Sequence, residues 1–223
     1  MWRAAACVLL CTAAQAEDLR GRVRVAGAPS RPPAIQNSAH QAVCGSSLPD
    51  ESLIVDEATR GLTNVVVWLA DAPAGAGLPA QDARLTAAGC RFSPRVQVMA
   101  AGQRLVLVNQ DPIPLEVLAT QNDSTVFSLS LPLKGQQVPK RLKDPGLVMI
   151  EARSGPSGMR AHVFVSATRH ATVTGRDGGF ELRGVSPGEY TLKAWHERLG
   201  ETHKRVSVSK GKATTQDLVF AAH

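Results

Sequence analysis

At 223 residues the chain is long enough for one large β domain or two small ones, each burying a core of its own. Its formal net charge of +6 is a modest excess. Aromatic residues make up only 4%, too few for a platform on which single-stranded nucleic acid would stack, and this argues against a nucleic-acid partner. Beyond the first residues no apolar run approaches the roughly 20 that a membrane helix needs, so no transmembrane segment is expected.

Met1-Trp2-Arg3, the apolar run 4–10 and the small residues ending at Ala14-Gln15-Ala16 read as a signal peptide over residues 1–16. The expectation is a periplasmic or secreted bacterial protein, soluble once processed. The competing reading is lipidation at Cys11, but Val8-Leu9-Leu10 lacks the small residues that usually precede a lipidated cysteine. Cleavage removes Cys7 and Cys11 and leaves Cys44 and Cys90, which export permits to pair. Neither lies in a CxxC or beside a histidine, so a redox or zinc role has little support.

Past the leader, short β-type runs recur between turn residues and helical periodicity is scarce, so the class is all-β. Strands are expected at 19–25, 64–69, 95–99, 104–109, 126–131, 146–151, 162–165, 171–174, 179–183, 188–196, 204–208 and 214–220. The Pro-rich stretch 28–34 and the Ala/Gly/Pro stretch 70–80 read as loops or linkers. Basic residues gather at Lys134, Lys140, Arg141 and Lys143, with Arg153 and Arg160 further on, and read as a solvated face. Near the C-terminus, Thr174-Gly175-Arg176-Asp177-Gly178-Gly179-Phe180 supplies glycine where a tight hairpin needs positive φ. Gly184-Val185-Ser186-Pro187-Gly188-Glu189-Tyr190 repeats the device with a Pro-Gly turn. Tyr190, Leu192 and Ala194 then alternate with Thr191, Lys193 and Trp195.

This D-G-x-F turn, P-G-x-Y-x-L strand and closing Trp195-His196-Glu197 resemble the carboxypeptidase regulatory-like (prealbumin-like) module over residues 171–220. About fifty residues supply too few strands for a closed sandwich. The G-x-V strand at Gly21-Arg22-Val23 and the V-x-V strand at Val65-Val66-Val67 are expected to complete it. The sandwich would then be discontinuous, residues 17–71 plus 167–223, with 72–166 inserted as a second domain.

That inserted segment reads C-x-x-S-P-x-V from Cys90, A-G-Q-x-L-x-L-x-N-x-D-P from Ala101, K-G-Q from Lys134 and M-R-A-x-V-x-V from Met159. Together these resemble the plastocyanin-like (cupredoxin) domain of exported methylamine-utilisation-like proteins, which implies Greek-key β-sandwiches throughout. The resemblance also implies a copper site of two histidines, one cysteine and a methionine. Carried across position by position, the first histidine falls on Leu115, the cysteine on Arg153 and the second histidine on Pro156, while Met159 is retained. Without thiolate or imidazoles, and with an Arg153 guanidinium that would set positive charge against a metal, Cu(II) has no ligand set. Leu115 and Pro156 are apolar and are expected to collapse into packed core.

Other histidines are candidates for the same duty. His162 and His170 follow Met159 most closely in sequence, and each reads better as a surface or interface imidazole. His196 and His203 could face each other across a hairpin near Leu199-Gly200, without a third ligand, and His40 in the loop near Cys44 is uninformative. No G-x-S-x-G, H-x-x-x-H helix or glycine-rich strand-to-helix loop is present. Asp111 and Glu116 read as turn-capping or solvated carboxylates, so no enzyme is expected. Trp195, with His196 and Tyr190, marks a possible ligand or interface surface. The expected function is a non-enzymatic binding or structural protein of the cell envelope, free of cofactor, with an unidentified protein or glycan ligand. Two alternatives stand beside it: a periplasmic copper-binding or electron-transfer protein using Met159 and nearby histidines, and a carbohydrate-binding module using Trp195 and Tyr190.

Overall fold

The computed structural model describes residues 16–27, 29–73, 81–156 and 158–221. Residues 1–15 of the expected leader, with Cys7 and Cys11, and most of the 70–80 stretch lie outside the described residues. In chain order the strands are β1 (Glu17–Val25), β2 (Ile35–Gln36), β3 (Ser47–Leu48), β4 (Val66–Leu69), β5 (Ala83–Ala88), β6 (Arg91–Ser93), β7 (Val96–Ala100), β8 (Arg104–Asn109), β9 (Leu115–Gln121) and β10 (Ser124–Leu131). They continue as β11 (Gln137–Arg141), β12 (Gly146–Ala152), β13 (Arg160–Ser166), β14 (Ala171–Val173), β15 (Gly179–Val185), β16 (Gly188–His196), β17 (Gly200–Val208), β18 (Thr214–Thr215) and β19 (Leu218–Phe220). A single helical turn, α1 (Gln41–Cys44), interrupts them.

The chain is nearly all β, and its four larger sheets form two sandwiches. The central one packs the sheet β10-β9-β12-β13-β7 against β11-β8-β5-β6. The outer one packs β14-β4-β16-β17 against a sheet in which β1 lies between β15 and the short β18 and β19. Each has its own apolar core, the first around Leu85, Leu105, Leu107, Val117, Ile150 and Val163, the second around Leu19, Val23, Leu62, Val67, Leu182 and Leu192. Alternation explains the facing: in β1, Leu19, Val23 and Val25 are buried while Arg20 and Arg22 are exposed, as the two-residue period of a strand requires.

The outer sandwich draws strands from both sides of the central one. Val23 pairs with Leu218, and Val67 pairs with both Thr172 and Ala194. A backbone junction seals the two halves, because Val23 takes a hydrogen bond from Leu62 N–H and gives one to Gly178 O, both at 2.9 Å. A Cβ on Gly61 would land on the Asp177 carbonyl, so the chain can pass there only as glycine.

Six strands fall outside the ranges expected from sequence: the two-residue β2 and β3, and four more. Strand β5 is alanine-rich, β6 has three residues, β9 begins directly after a proline turn, and β11 carries Pro139. Each has a composition that β propensity disfavours and is held in place by its neighbours instead. The stretch around β2, α1 and β3 also departs from the proposed boundary. It belongs by sequence to residues 17–71, yet the Cys44–Cys90 disulfide and the Arg91–Glu51 ion pair tie it to the central sandwich.

Candidate functional site

Two places concentrate the residues singled out by sequence. The first is the end of the central sandwich where β8 runs into β9 and β12 into β13. Asn109 is wholly buried and organises the proline turn: its Nδ2 donates to the carbonyls of Ile113 (2.8 Å) and Leu131 (2.9 Å), and its Oδ1 accepts from Asp111 N–H. Asp111 in turn accepts from Gly89 N–H (2.7 Å) and Cys90 N–H (2.8 Å). Both donors sit at positive φ, so the carboxylate fixes a turn that Cys90 would otherwise disfavour. Three of the four carried-over positions meet here. Arg153 N–H donates to Glu116 O and Ala152 N–H to Met159 O, which places Leu115, Arg153 and Met159 on adjoining backbone.

Leu115 and Met159 are buried in the central core, and Pro156 is also buried. The expected clash of Arg153 with a metal does not arise. Its side chain is 58% exposed and turns outward, 3.9 Å from Glu151. Ile35 and Leu48, from the disulfide-tied segment, share with Met159, Cys90 and Arg95 the walls of a cavity of about 20 Å³, room for one water at most. Where the resemblance implies copper ligands, the buried Leu115, Pro156 and Met159 offer neither imidazole nor thiolate. The residues present do not fit copper.

The second place lies between the sandwiches and was not visible in the sequence. Arg95, just before β7, forks onto Glu197, just after β16, with Nε to Oε1 at 2.6 Å and Nη2 to Oε2 at 2.8 Å. Both side chains are largely buried, and His162 Nε2 stands 3.5 Å from the same carboxylate. Burial works against the charge on Glu197, but Arg95 and His162 outweigh it and hold the carboxyl down at about 2. Burial likewise opposes the charge on Arg95, and Glu197 overcomes it, raising Arg95 above its ordinary value. Around this pair, Trp195 meets the His162 ring edge-on at 4.9 Å, and Trp68 packs on Phe164 at 4.8 Å. No local pattern could have announced a pair 102 residues apart.

The histidines fall into separate environments. His196 is on the inward face of β16 with Leu192 and Ala194, is 1% exposed, and packs on Phe220 at 6.3 Å. Burial pushes its imidazole down to about 4. It does not face His203, because the register pairs His196 with Gly200 and His203 with Lys193. His170, expected at a surface or interface, is buried at the entry to β14, and burial followed by the charge of Arg169 lowers it too. Trp195, His196 and Tyr190 make no common surface: Trp195 faces the central sandwich, His196 the outer core, and Tyr190 packs against that core while its hydroxyl donates to Ser186 O at 2.9 Å. Among the described residues no group of three or more His, Cys, Asp or Glu is placed to hold a metal, and no helix is long and apolar enough to cross a membrane.

Residues 149–221 match the family model of the carboxypeptidase regulatory-like domain. The match begins inside β12 of the central sandwich and runs through β13 before entering the outer one, so it crosses the seam between them. Among solved structures, the purple cupredoxin from Nitrosopumilus maritimus is similar at 17% identity over 38% of this chain and 100% of that one, with a TM-score of 0.33. Amicyanin from Paracoccus versutus is similar at 17% identity over 40% of this chain and 85% of that one, TM-score 0.35. The Cu-containing nitrite reductase (NirK) from Thermus scotoductus SA-01 is similar at 18% identity, TM-score 0.35, over 43% of this chain but only 24% of that one. No curated protein sequence matches.

Proposed function

We propose that this chain is a non-enzymatic, exported binding or structural protein of the bacterial cell envelope, whose central sandwich keeps the frame of a copper domain without its metal chemistry. One observation carries the reading: the positions that the resemblance gives to two imidazoles and a thiolate hold a buried Leu115, a buried Pro156 and an outward-turned Arg153. Met159 alone offers a weak thioether, enclosed by core. The buried Arg95–Glu197 pair with His162 beside it serves the joint between the sandwiches, which suits a protein that presents a rigid surface to a protein or glycan partner.

The copper-carrier alternative requires Met159 to converge with His162, His170 or His196. Met159 lies in the central core, His162 beside Glu197, and His196 in the other core against Phe220. The sugar-binding alternative requires a free Trp195 face beside Tyr190, whereas Trp195 is engaged with His162. Elemental analysis and copper titration of the purified protein test the reading. Substoichiometric copper, unchanged by Met159→Leu, is the expected result; near-stoichiometric copper lost in Met159→Leu overturns it.

A further inference from the structure

The sheet β11-β8-β5-β6 of the central sandwich holds Arg84, Arg91, Arg104, Lys140 and Arg141 and no acidic residue. The sheet packed against it holds Glu116, Glu151 and Arg160 besides His162, so the excess of positive charge belongs to one layer. Register gathers it on one face. Arg141 pairs with Arg104, and Arg84 pairs with Val106, two residues further along β8, so these three side chains leave the same side of the sheet. Arg91, opposite Ala88, leaves it too. That side is the outer one: Leu85, Leu105 and Leu107 alternate into the core while the four arginines are exposed.

Like charges set directly opposite each other destabilise a sheet, and Arg141 across from Arg104 is such a pair. A merely solvated face has no need of it. Asp82 relieves Arg104, and Glu51 takes Arg91. Arg84 bonds the side chain of Gln137 and Arg141 the Gly102 carbonyl, and neither has a carboxylate partner among the described residues. Lys134 and Lys143 stand exposed beyond the two ends of β11, with Asp144 next to the second.

The rest of the face selects among anionic partners. The sheet's one aromatic residue, Phe92, is buried in the core, so nothing on the outer side can stack a base or a neutral sugar. Val43, Ile54, Val126, Leu133 and Val219, the exposed large apolar side chains among the described residues, all lie off these strands, which leaves the face nothing to insert into a bilayer. What it offers is a flat array of guanidinium forks beside the amide of Gln137 and the hydroxyls of Thr86 and Ser93. A fork matches a carboxylate in two parallel hydrogen bonds, and a linear polymer with a carboxylate on each sugar engages several forks at once. We infer that the outer face of this sheet binds an acidic polysaccharide of the envelope through Arg84, Arg104 and Arg141. The site gives the glycan partner of the proposed function its chemistry and rests on that reading for the class of partner.

Calorimetric titration of the purified protein with polygalacturonate tests this. Binding is expected, weaker as salt rises, and about tenfold weaker in the double variant Arg84→Gln with Arg141→Gln. The thermal midpoint of that variant should not fall, because a like-charge pair has been relieved. Lys204→Gln with Arg205→Gln makes the same change of charge on β17 of the outer sandwich and should leave the affinity unchanged. No binding at low salt overturns the proposal, and equal losses from the two double variants overturn the sheet face as its site. Polyglutamate bound as tightly, or phosphatidylglycerol vesicles bound with the same dependence on Arg84 and Arg141, overturns the choice of a polysaccharide. Copper titration reads none of these outcomes, so a protein that loads copper would overturn the proposed function while leaving the polymer result to stand by itself.

Discussion

Glu197 carries its charge where burial opposes it, so the Arg95 fork must do more than decorate the seam. Removing one partner leaves the other buried and unpaired, a change that typically costs about 3–5 kcal/mol. Arg95→Met should lower the urea-unfolding stability by that order. The double variant Arg95→Met with Glu197→Leu should recover most of it, because an apolar pair of similar volume carries no desolvation penalty. A double variant as unstable as the single one would show that the pair acts through something other than charge. The pH dependence divides the same way. His196 has its pKa lowered from 6.5 to about 4, so the unfolded chain binds its proton first, and stability falls as pH drops from about 6.5 to about 4. The loss for this one group is about 3 kcal/mol, and the lowered His170 acts in the same direction. Glu197, lowered from 4.5 to about 2, contributes stability that is present above 4.5 and lost as pH falls through about 2. Urea midpoints measured from pH 7 to pH 3 should show both windows, and His196→Gln should flatten the upper one while leaving the lower.

Turns and staples explain why some elements were legible and others were not. The D-G-G-F turn before β15 could be read because Gly178, at φ 78°, is a local requirement of backbone geometry. That turn also has a long-range role the sequence hides: it docks on Gly61, so Gly61→Ala should cost about 1–3 kcal/mol by overpacking and be visible as a lower thermal midpoint. Asp111 is the parallel case in the central sandwich. Its turn-capping character was legible from the proline turn, but the turn it caps is Gly89-Cys90, 21 and 22 residues away. Strand β9 was missed because Leu115 directly follows Pro114 and its neighbours β10 and β12, not its own propensity, make it a strand. The burial of His196 did leave a signal, since alternation puts it on the face of Leu192 and Ala194. The apolar fate of Leu115 and Pro156 followed from their side-chain chemistry. The outward turn of Arg153 did not, because whether a guanidinium escapes to solvent depends on which loop covers it. The segment that closes that end is held by Cys44–Cys90, whose 46-residue separation implies about 4 kcal/mol in the chain-entropy model.

At the scale of the molecule, two cores are made interdependent by connectivity as well as by contact. Strands β1 and β4 of the outer sandwich precede the central one and β14 to β19 follow it, so the outer core cannot close until the ends of the central sandwich are brought together. The seam reinforces this order, since Trp68 and Trp195 from the outer sheet meet Phe164 and His162 on the central one, around the buried ion pair. If the outer sandwich depends on the central one in this way, the whole chain should unfold in a single calorimetric transition whose enthalpy equals the van't Hoff value. Trp195→Ala removes a large contact at the seam while leaving both apolar cores intact, and the loss expected for such a truncation is about 3 kcal/mol. The outer sandwich should then melt first and the central one, closed on itself by nine strands, at the original temperature, giving two resolved transitions in differential scanning calorimetry. A single transition merely shifted to lower temperature would mean that the topological dependence, not the seam, holds the two cores together.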